Sequence, residues 1–148
     1  MKQQLAIISL TVLLLSPGIH ASDDVGKAIE YRQGVMNVLS WNTKAIGSML
    51  KGNTDYDAES IKTHAADINR AASLDILSGF PEDSTDPDSA AMDEIWMDFD
   101  NFKQKLADFR SAAASLDQTA QTGDKGAVGK AMKDLGASCK GCHKTFKN

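Results

Sequence analysis

The chain's three prolines fall at positions 17, 81 and 87, and that distribution constrains the fold more than any other feature. Proline inside a helix removes a hydrogen bond and clashes with the preceding turn, at a cost of about 3 kcal/mol. Residues 18–80 and 88–148 contain none, and both stretches are rich in Ala, Leu, Lys, Asp and Glu. Long helices are therefore permitted. Apolar residues recur in them at steps of three and four, and the interruptions carry Gly, Pro, Asn and Asp, which divides the chain into four helical segments. The first runs from about Asp24 to Leu50, with Val25, Ile29, Arg32, Met36, Leu39, Ile46 and Leu50 on one stripe, and Lys51-Gly52-Asn53 ends it. Asp57 is placed to cap the second, whose inner face is Ile61, Ala65, Ile68, Ala72 and Leu77, with Gly79 as its stop. The loop 80–89 holds two of the prolines and several acids and belongs on the surface. The third segment has the clearest period, from Met92, Ile95, Trp96 and Phe99 through Phe102, Leu106 and Phe109 to Ala120, and reads as one long helix with a single buried face. Gly123 closes it and Asp124 caps the fourth, where Val128, Ala131, Met132, Leu135, Cys139, Cys142 and Phe146 share a face. Short connections between long helices favour antiparallel neighbours, so the expected fold class is all-α, an antiparallel up-down-up-down four-helix bundle.

The N-terminus carries an address. Met1-Lys2 precedes an apolar run from Leu5 to Leu15, then a break at Ser16-Pro17-Gly18 and a small residue at Ala21. This is the pattern of a secretory signal peptide over residues 1–21, since the run is far short of the roughly 20 residues needed to span a bilayer. The bundle then occupies residues 22–148 of an exported protein. Lys2 lies outside it, so residues 22–148 carry 15 basic and 20 acidic side chains, a net charge of −5. No basic cluster interleaved with aromatics occurs, and nucleic acid is not an expected partner.

The two cysteines must act as one pair, and they stand in Cys139-Lys140-Gly141-Cys142-His143, a C-x-x-C-H site for covalent attachment of haem c. Two thiols add across the two vinyl groups of haem, and the adjacent imidazole binds the iron. On a helix, positions i, i+3 and i+4 share a face, so Cys139, Cys142 and His143 point together. Competing chemistries fit less well. A thioredoxin-like pair opens a helix in a βαβ setting, a zinc site needs more ligands, and a disulfide closing so short a loop adds little stability. One pair implies one haem per chain.

A sixth iron ligand cannot come from the five residues after His143, so any distal group comes from another helix. Met132 lies eleven residues before His143 on the same helix, roughly 16 Å along the axis at 1.5 Å per residue, and belongs to the core. In an up-down-up-down bundle the N-terminal half of the first helix lies level with the end of the fourth, which makes Met36 the best distal candidate among Met36, Met49, Met92, Met97 and Met132. It either ligates the iron or covers the haem face. Arg32 falls on an inner stripe, a poor place for an unpaired charge, and its fork of donors matches a carboxylate. His64, on the second segment, reads as a solvent or interface residue.

Tyr31-Arg32-Gln33-Gly34-Val35-Met36, Lys51-Gly52, Tyr56-Asp57-Ala58, Glu94-Ile95-Trp96 and Gly136 to His143, in this order, resemble the class II cytochromes c and within them the cytochromes c′. The resemblance implies a periplasmic four-helix bundle with a covalently bound haem c. It also implies a homodimer through the outer faces of the first two helices, for which Trp41 is either the local anchor or a partly buried core side chain. Residue by residue, it implies thioethers at Cys139 and Cys142, His143 as axial ligand, Arg32 and Gln33 by the haem propionates, and Glu94 bordering the same region. Lys147 stands where the family has a basic residue near the proximal imidazole. At the position of Met36 the cytochromes c′ carry a bulky group that does not bond the iron, whereas low-spin relatives use a methionine there as sixth ligand. The function implied is a high-spin, five-coordinate haem protein, not an enzyme, that binds small gases such as NO and CO and exchanges electrons with unidentified redox partner proteins. The alternative is a low-spin electron carrier with Met36 on the iron.

Overall fold

The structure is a computed structural model that describes the backbone of residues 18–148 and the side chains from Asp24 onward. The expected signal peptide lies outside the described residues as far as residue 17. Helix α1 (Gly18–Lys51) uses the first proline-free stretch for 34 residues. It stops where Gly52 adopts φ +77°, and Asn53 N–H reaches back to the Ser48 carbonyl at 3.0 Å. A left-handed residue after a helix is the ordinary use of glycine, because other residues pay for that conformation.

Helix α2 (Ala58–Ala72) starts on Asp57, whose carboxylate accepts from Glu59 N–H at 3.1 Å and from the Ser60 hydroxyl. It ends five residues before the expected Leu77. The Ser73 hydroxyl donates to the Asn69 carbonyl at 2.8 Å, and the guanidinium of Arg110 donates to the carbonyls of Ala72 (2.9 Å) and Leu74 (3.0 Å). The Arg110 donors satisfy carbonyls that a further helical turn would otherwise have bonded. A 3₁₀ turn, Ile76–Gly79, then buries Ile76 against the core.

The third expected helix is also divided. Helix α3 (Glu94–Met97) and α4 (Phe99–Ala120) meet at Asp98, whose φ of −134° and ψ of 56° lie outside the helical region. The Trp96 indole donates to the Pro81 carbonyl at 2.9 Å, which anchors α3 to the loop instead of to the α4 axis. The apolar spacing runs through the break because Ile95 and Phe102, on either side of it, bury in the same core. Helix α5 (Lys125–Phe146) begins on Asp124, whose carboxylate accepts from Gly126 N–H at 2.7 Å and Ala127 N–H at 3.0 Å. Asp124→Ala is expected to lower stability by about 1 kcal/mol, measured by urea unfolding, because two helix-initiating N–H groups lose their acceptor.

The four long helices form the bundle, with Ile46, Ile61, Ile68, Leu116 and Leu135 almost fully buried between them. Burying each such side chain is worth about 1.5–3 kcal/mol relative to leaving it in water. Three seams of the bundle, α1 with α2, α2 with α4 and α4 with α5, are packed along their length. The fourth is not: α1 and α5 touch only sparsely. No helix among the described residues is long and apolar enough to cross a membrane.

Candidate functional site at the seam between the first and last helices

Cys139 and Cys142 lie on the last turns of α5 as free thiols, half-buried and packed against the core. Helical spacing puts His143 on their face. Burial pushes both thiols above the ordinary range; for Cys142 the neighbouring Cys139 adds to the shift and Lys105 of α4 opposes it. Both therefore hold their protons near neutral pH. The His143 imidazole is held below its usual pKa, first by loss of water around the ring and then by Lys147. The shift favours the neutral ring, whose lone pair can bind a metal.

Among the described residues, Arg32 makes the most side-chain hydrogen bonds. Only 3% exposed, it donates from Nη1 to the Gly79 carbonyl (2.9 Å) and the Ser84 hydroxyl (2.8 Å). From Nη2 it donates to the Ser84 carbonyl (2.7 Å) and the Ser89 hydroxyl (2.7 Å), and the guanidinium stacks on the Phe80 ring at 4.8 Å. Every one of these acceptors is neutral. No ion pair among the described residues includes Arg32, and burial lowers its pKa while Asp86 raises it from a distance. Four of the five guanidinium donors are used, which leaves Nε–H.

The same hydrogen bonds set the register between the two helices. Ser89 also accepts from Ala91 N–H at 3.3 Å, and Ala91 forms an isolated antiparallel bridge with Lys147, the residue that caps α5. Arg32 is therefore level with the C-terminal end of α5. Because the helices run antiparallel, α1 continues from Arg32 along the last turns of α5, and Met36 lies on its next turn. Met36 is 38% exposed, although Val35 and Leu39 beside it are buried. Gln33, one residue after Arg32, donates to the Asp88 carbonyl at 3.3 Å.

The remaining candidates separate from this group. Glu94 is exposed at the start of α3, on a cleft of about 500 Å³ that it shares with Asp86, Ala91, Met97 and Asn148. No hydrogen bond or ion pair among the described residues joins it to Arg32, Gln33 or the α5 motif. His64 bonds through Nδ1 to Asn42 Oδ1 at 2.8 Å, between α2 and α1. Ser84 and Ser89 had no signal in the sequence, since serines in an acidic loop read as solvated.

Chemically, the seam combines an attachment side and a charge-balancing side. Two thiols and a neutral imidazole share one face of α5, and facing helix α1 carries a buried cation bonded only to neutral groups. A planar cofactor with two electrophilic attachment points, a metal and anionic substituents fits this donor set. The model for the family described as Cytochrome C′ matches residues 27–147. Among known proteins, the chain is similar to a cytochrome c-554 from Cereibacter sphaeroides, 36% identical over 126 residues that cover 83% of this chain and 94% of that one. Among solved structures it is similar to a cytochrome c prime from Shewanella frigidimarina, with a TM-score of 0.80 and 33% identity over 84% of this chain and 96% of that one. A nitric oxide complex of a cytochrome c prime variant from Alcaligenes xylosoxidans is similar with a TM-score of 0.76 and 29% identity over 84% of this chain and 96% of that one.

Proposed function

The chain belongs to the cytochrome c′ family, and from that premise we propose that it is a periplasmic haem c protein with a five-coordinate iron, which binds NO and CO and exchanges electrons. Cys139 and Cys142 would hold a haem c through thioethers, and His143 would bind its iron. When bound, haem c would supply a redox-active iron able to take up a diatomic gas.

This chain's own residues do the rest. Loss of water around the ring, and then Lys147, hold the His143 imidazole below its usual pKa, which favours the neutral ring that can bind a metal. Arg32 supplies positive charge beside the seam, and Gln33 extends the polar edge toward Asp88. Both suit propionates, which a partly dry cleft tolerates only beside a cation. Val35 and Leu39 exclude water from the side of α1, with Met36 between them. Glu94 borders the acidic loop, farther from the motif. Export by cleavage of residues 1–21 places the domain in the oxidising compartment where haem c proteins work. No catalytic group is needed for gas binding or electron exchange, so we assign no enzymatic activity.

The observation that supports the reading is the sparsely packed seam between α1 and α5, which has half-buried Cys139 and Cys142 on one side and partly exposed Met36 on the other helix. A methionine in that place either crowds the distal side or bonds the iron. The relative solved with nitric oxide favours an accessible iron. Under the five-coordinate reading, the dithionite-reduced protein takes up CO with a clear Soret shift. Met36→Ala then leaves the ferric spectrum unchanged and raises CO affinity about tenfold, roughly 1.4 kcal/mol of relieved crowding. A low-spin ferrous spectrum that ignores CO, converted by Met36→Ala into one that responds, establishes the six-coordinate alternative instead.

The protein's assembly follows the family's dimers. Trp41 is 73% exposed on α1, with Val38 nearby and Leu74 exposed beyond the end of α2. Val38 and Leu74 line a shallow apolar groove with Ala71. Such a surface suits a second copy better than water.

A further inference from the structure

Charge in this protein is sorted by element, and the sorting falls on the site. Residues 71–102 contain nine acidic side chains and no Lys or Arg. Helix α5 with its two caps carries six lysines, Lys125, Lys130, Lys133, Lys140, Lys144 and Lys147, against Asp124 and Asp134. All six are exposed, and none is in an ion pair among the described residues. Lys133, Lys140 and Lys144 follow one another at steps of seven and four, which puts them on one stripe about 16 Å long. Lys140 lies between the two attachment cysteines, and Lys105 joins the group from α4, close enough to Cys142 for its charge to be felt there.

We infer that the lysine face of α5, completed by Lys105, is the docking surface for electron exchange and that it takes a redox protein presenting carboxylates. The inference rests on the reading of Cys139 and Cys142 as haem attachments, because that reading makes α5 the helix bonded to the redox centre. A stripe about three turns long matches the patch of a small, transient interface. A solvated helix face is the plain alternative, and the helix dipole accounts for cations in the last turn only. It does not account for Lys133 or for Lys105 on another helix.

The net charge of −5 would, taken as a point, repel an acidic partner. At physiological salt the screening length is about 8 Å, so a partner at the surface feels the local lysines and not the distant acidic loop. The two views predict opposite signs. The test uses ferric holoprotein and the dianion of ferrous EDTA, which gives one electron to the haem and leaves as ferric EDTA. Hexaammineruthenium(II) serves as the cationic control.

Raising ionic strength from about 0.01 M to about 0.1 M shortens the screening length from about 30 to about 10 Å. The rate with ferrous EDTA is expected to fall about fivefold, and the rate with the ruthenium complex to rise. The triple variant Lys133→Glu, Lys140→Glu, Lys144→Glu should reverse the sign of both. A ferrous EDTA rate that rises with salt, or a triple variant with the wild-type salt slope, overturns the inference. Polyglutamate titrated into ¹⁵N-labelled holoprotein gives a readout independent of electron transfer. Amide shifts confined to α5 and the Lys105 turn support the face, and shifts elsewhere or none refute it. A pyridine haemochrome without a c-type band would overturn the attachment reading by itself, while the polyglutamate map still decides whether the face binds acids.

Discussion

Replacing Cys139 and Cys142 together with alanine is expected to abolish covalent retention of haem while leaving the bundle folded. In acid-acetone, the wild-type chain should keep nearly all of its haem absorbance and the double variant should lose nearly all of it. Each single variant should hold its haem through one thioether, with the haemochrome band shifted toward that of a free vinyl. The fold survives because both side chains are only half-buried, and alanine is the best helix former at positions inside α5. The loss of packing at two partly exposed sites costs about 1–2 kcal/mol, within the reserve of a domain this size. Far-ultraviolet circular dichroism should therefore keep its helical amplitude. A double variant that retains haem through extraction would show that other residues make the attachment.

Much of this was legible in the sequence because helices and helical motifs leave periodic traces. The caps at Asp57 and Asp124 and the stop at Gly52 are local, decided within four residues, and each stands where its residue type predicts. The motif from Cys139 to His143 is local as well. What the sequence did not reveal depends on partners far along the chain. Helix α2 ends early because Arg110, 38 residues away, bonds the Ala72 carbonyl. The break at Asp98 is hidden because apolar spacing reports which side chains are buried, not whether the backbone between them is continuous. Arg32 was visible as a charge on an inner stripe, but its partners at Gly79, Ser84 and Ser89 lie 47 to 57 residues away in a loop with no period at all. Met36 was read on the inner stripe and is instead partly exposed, since the stripe follows the sparsely packed seam as well as the core.

Arg32→Ala is expected to be strongly destabilising, on the scale of truncating a large core side chain. It removes four donors at once from acceptors that have little access to water: Ser84 is 0% exposed, and its hydroxyl and its carbonyl both depend on Arg32. A buried acceptor left without a donor costs about 1–3 kcal/mol, so even with water reaching the Ser89 side the total should be about 3–4 kcal/mol. The midpoint of thermal unfolding should fall by roughly 10 °C. Arg32→Lys should recover only part of this, because one ammonium cannot fork to partners on two sides. Ser84→Ala, which leaves the Ser84 carbonyl bond in place, should cost about 1–2 kcal/mol. The pattern of loosening distinguishes a clamp from a merely buried residue. The loop is tied on its other side to the end of α5, where Met92 N–H donates to the Phe146 carbonyl at 3.1 Å and Asn148 N–H to the Ala90 carbonyl at 3.0 Å. Releasing it at Arg32 should therefore speed amide exchange at Met92, Lys147 and Asn148 before it affects the middle of α4. The Lys147 amide bonds the carbonyl of His143. The clamp on α1 thus holds the backbone of His143 through the loop, and an Arg32→Ala protein whose α5 terminus stays as protected as the wild type would refute that coupling.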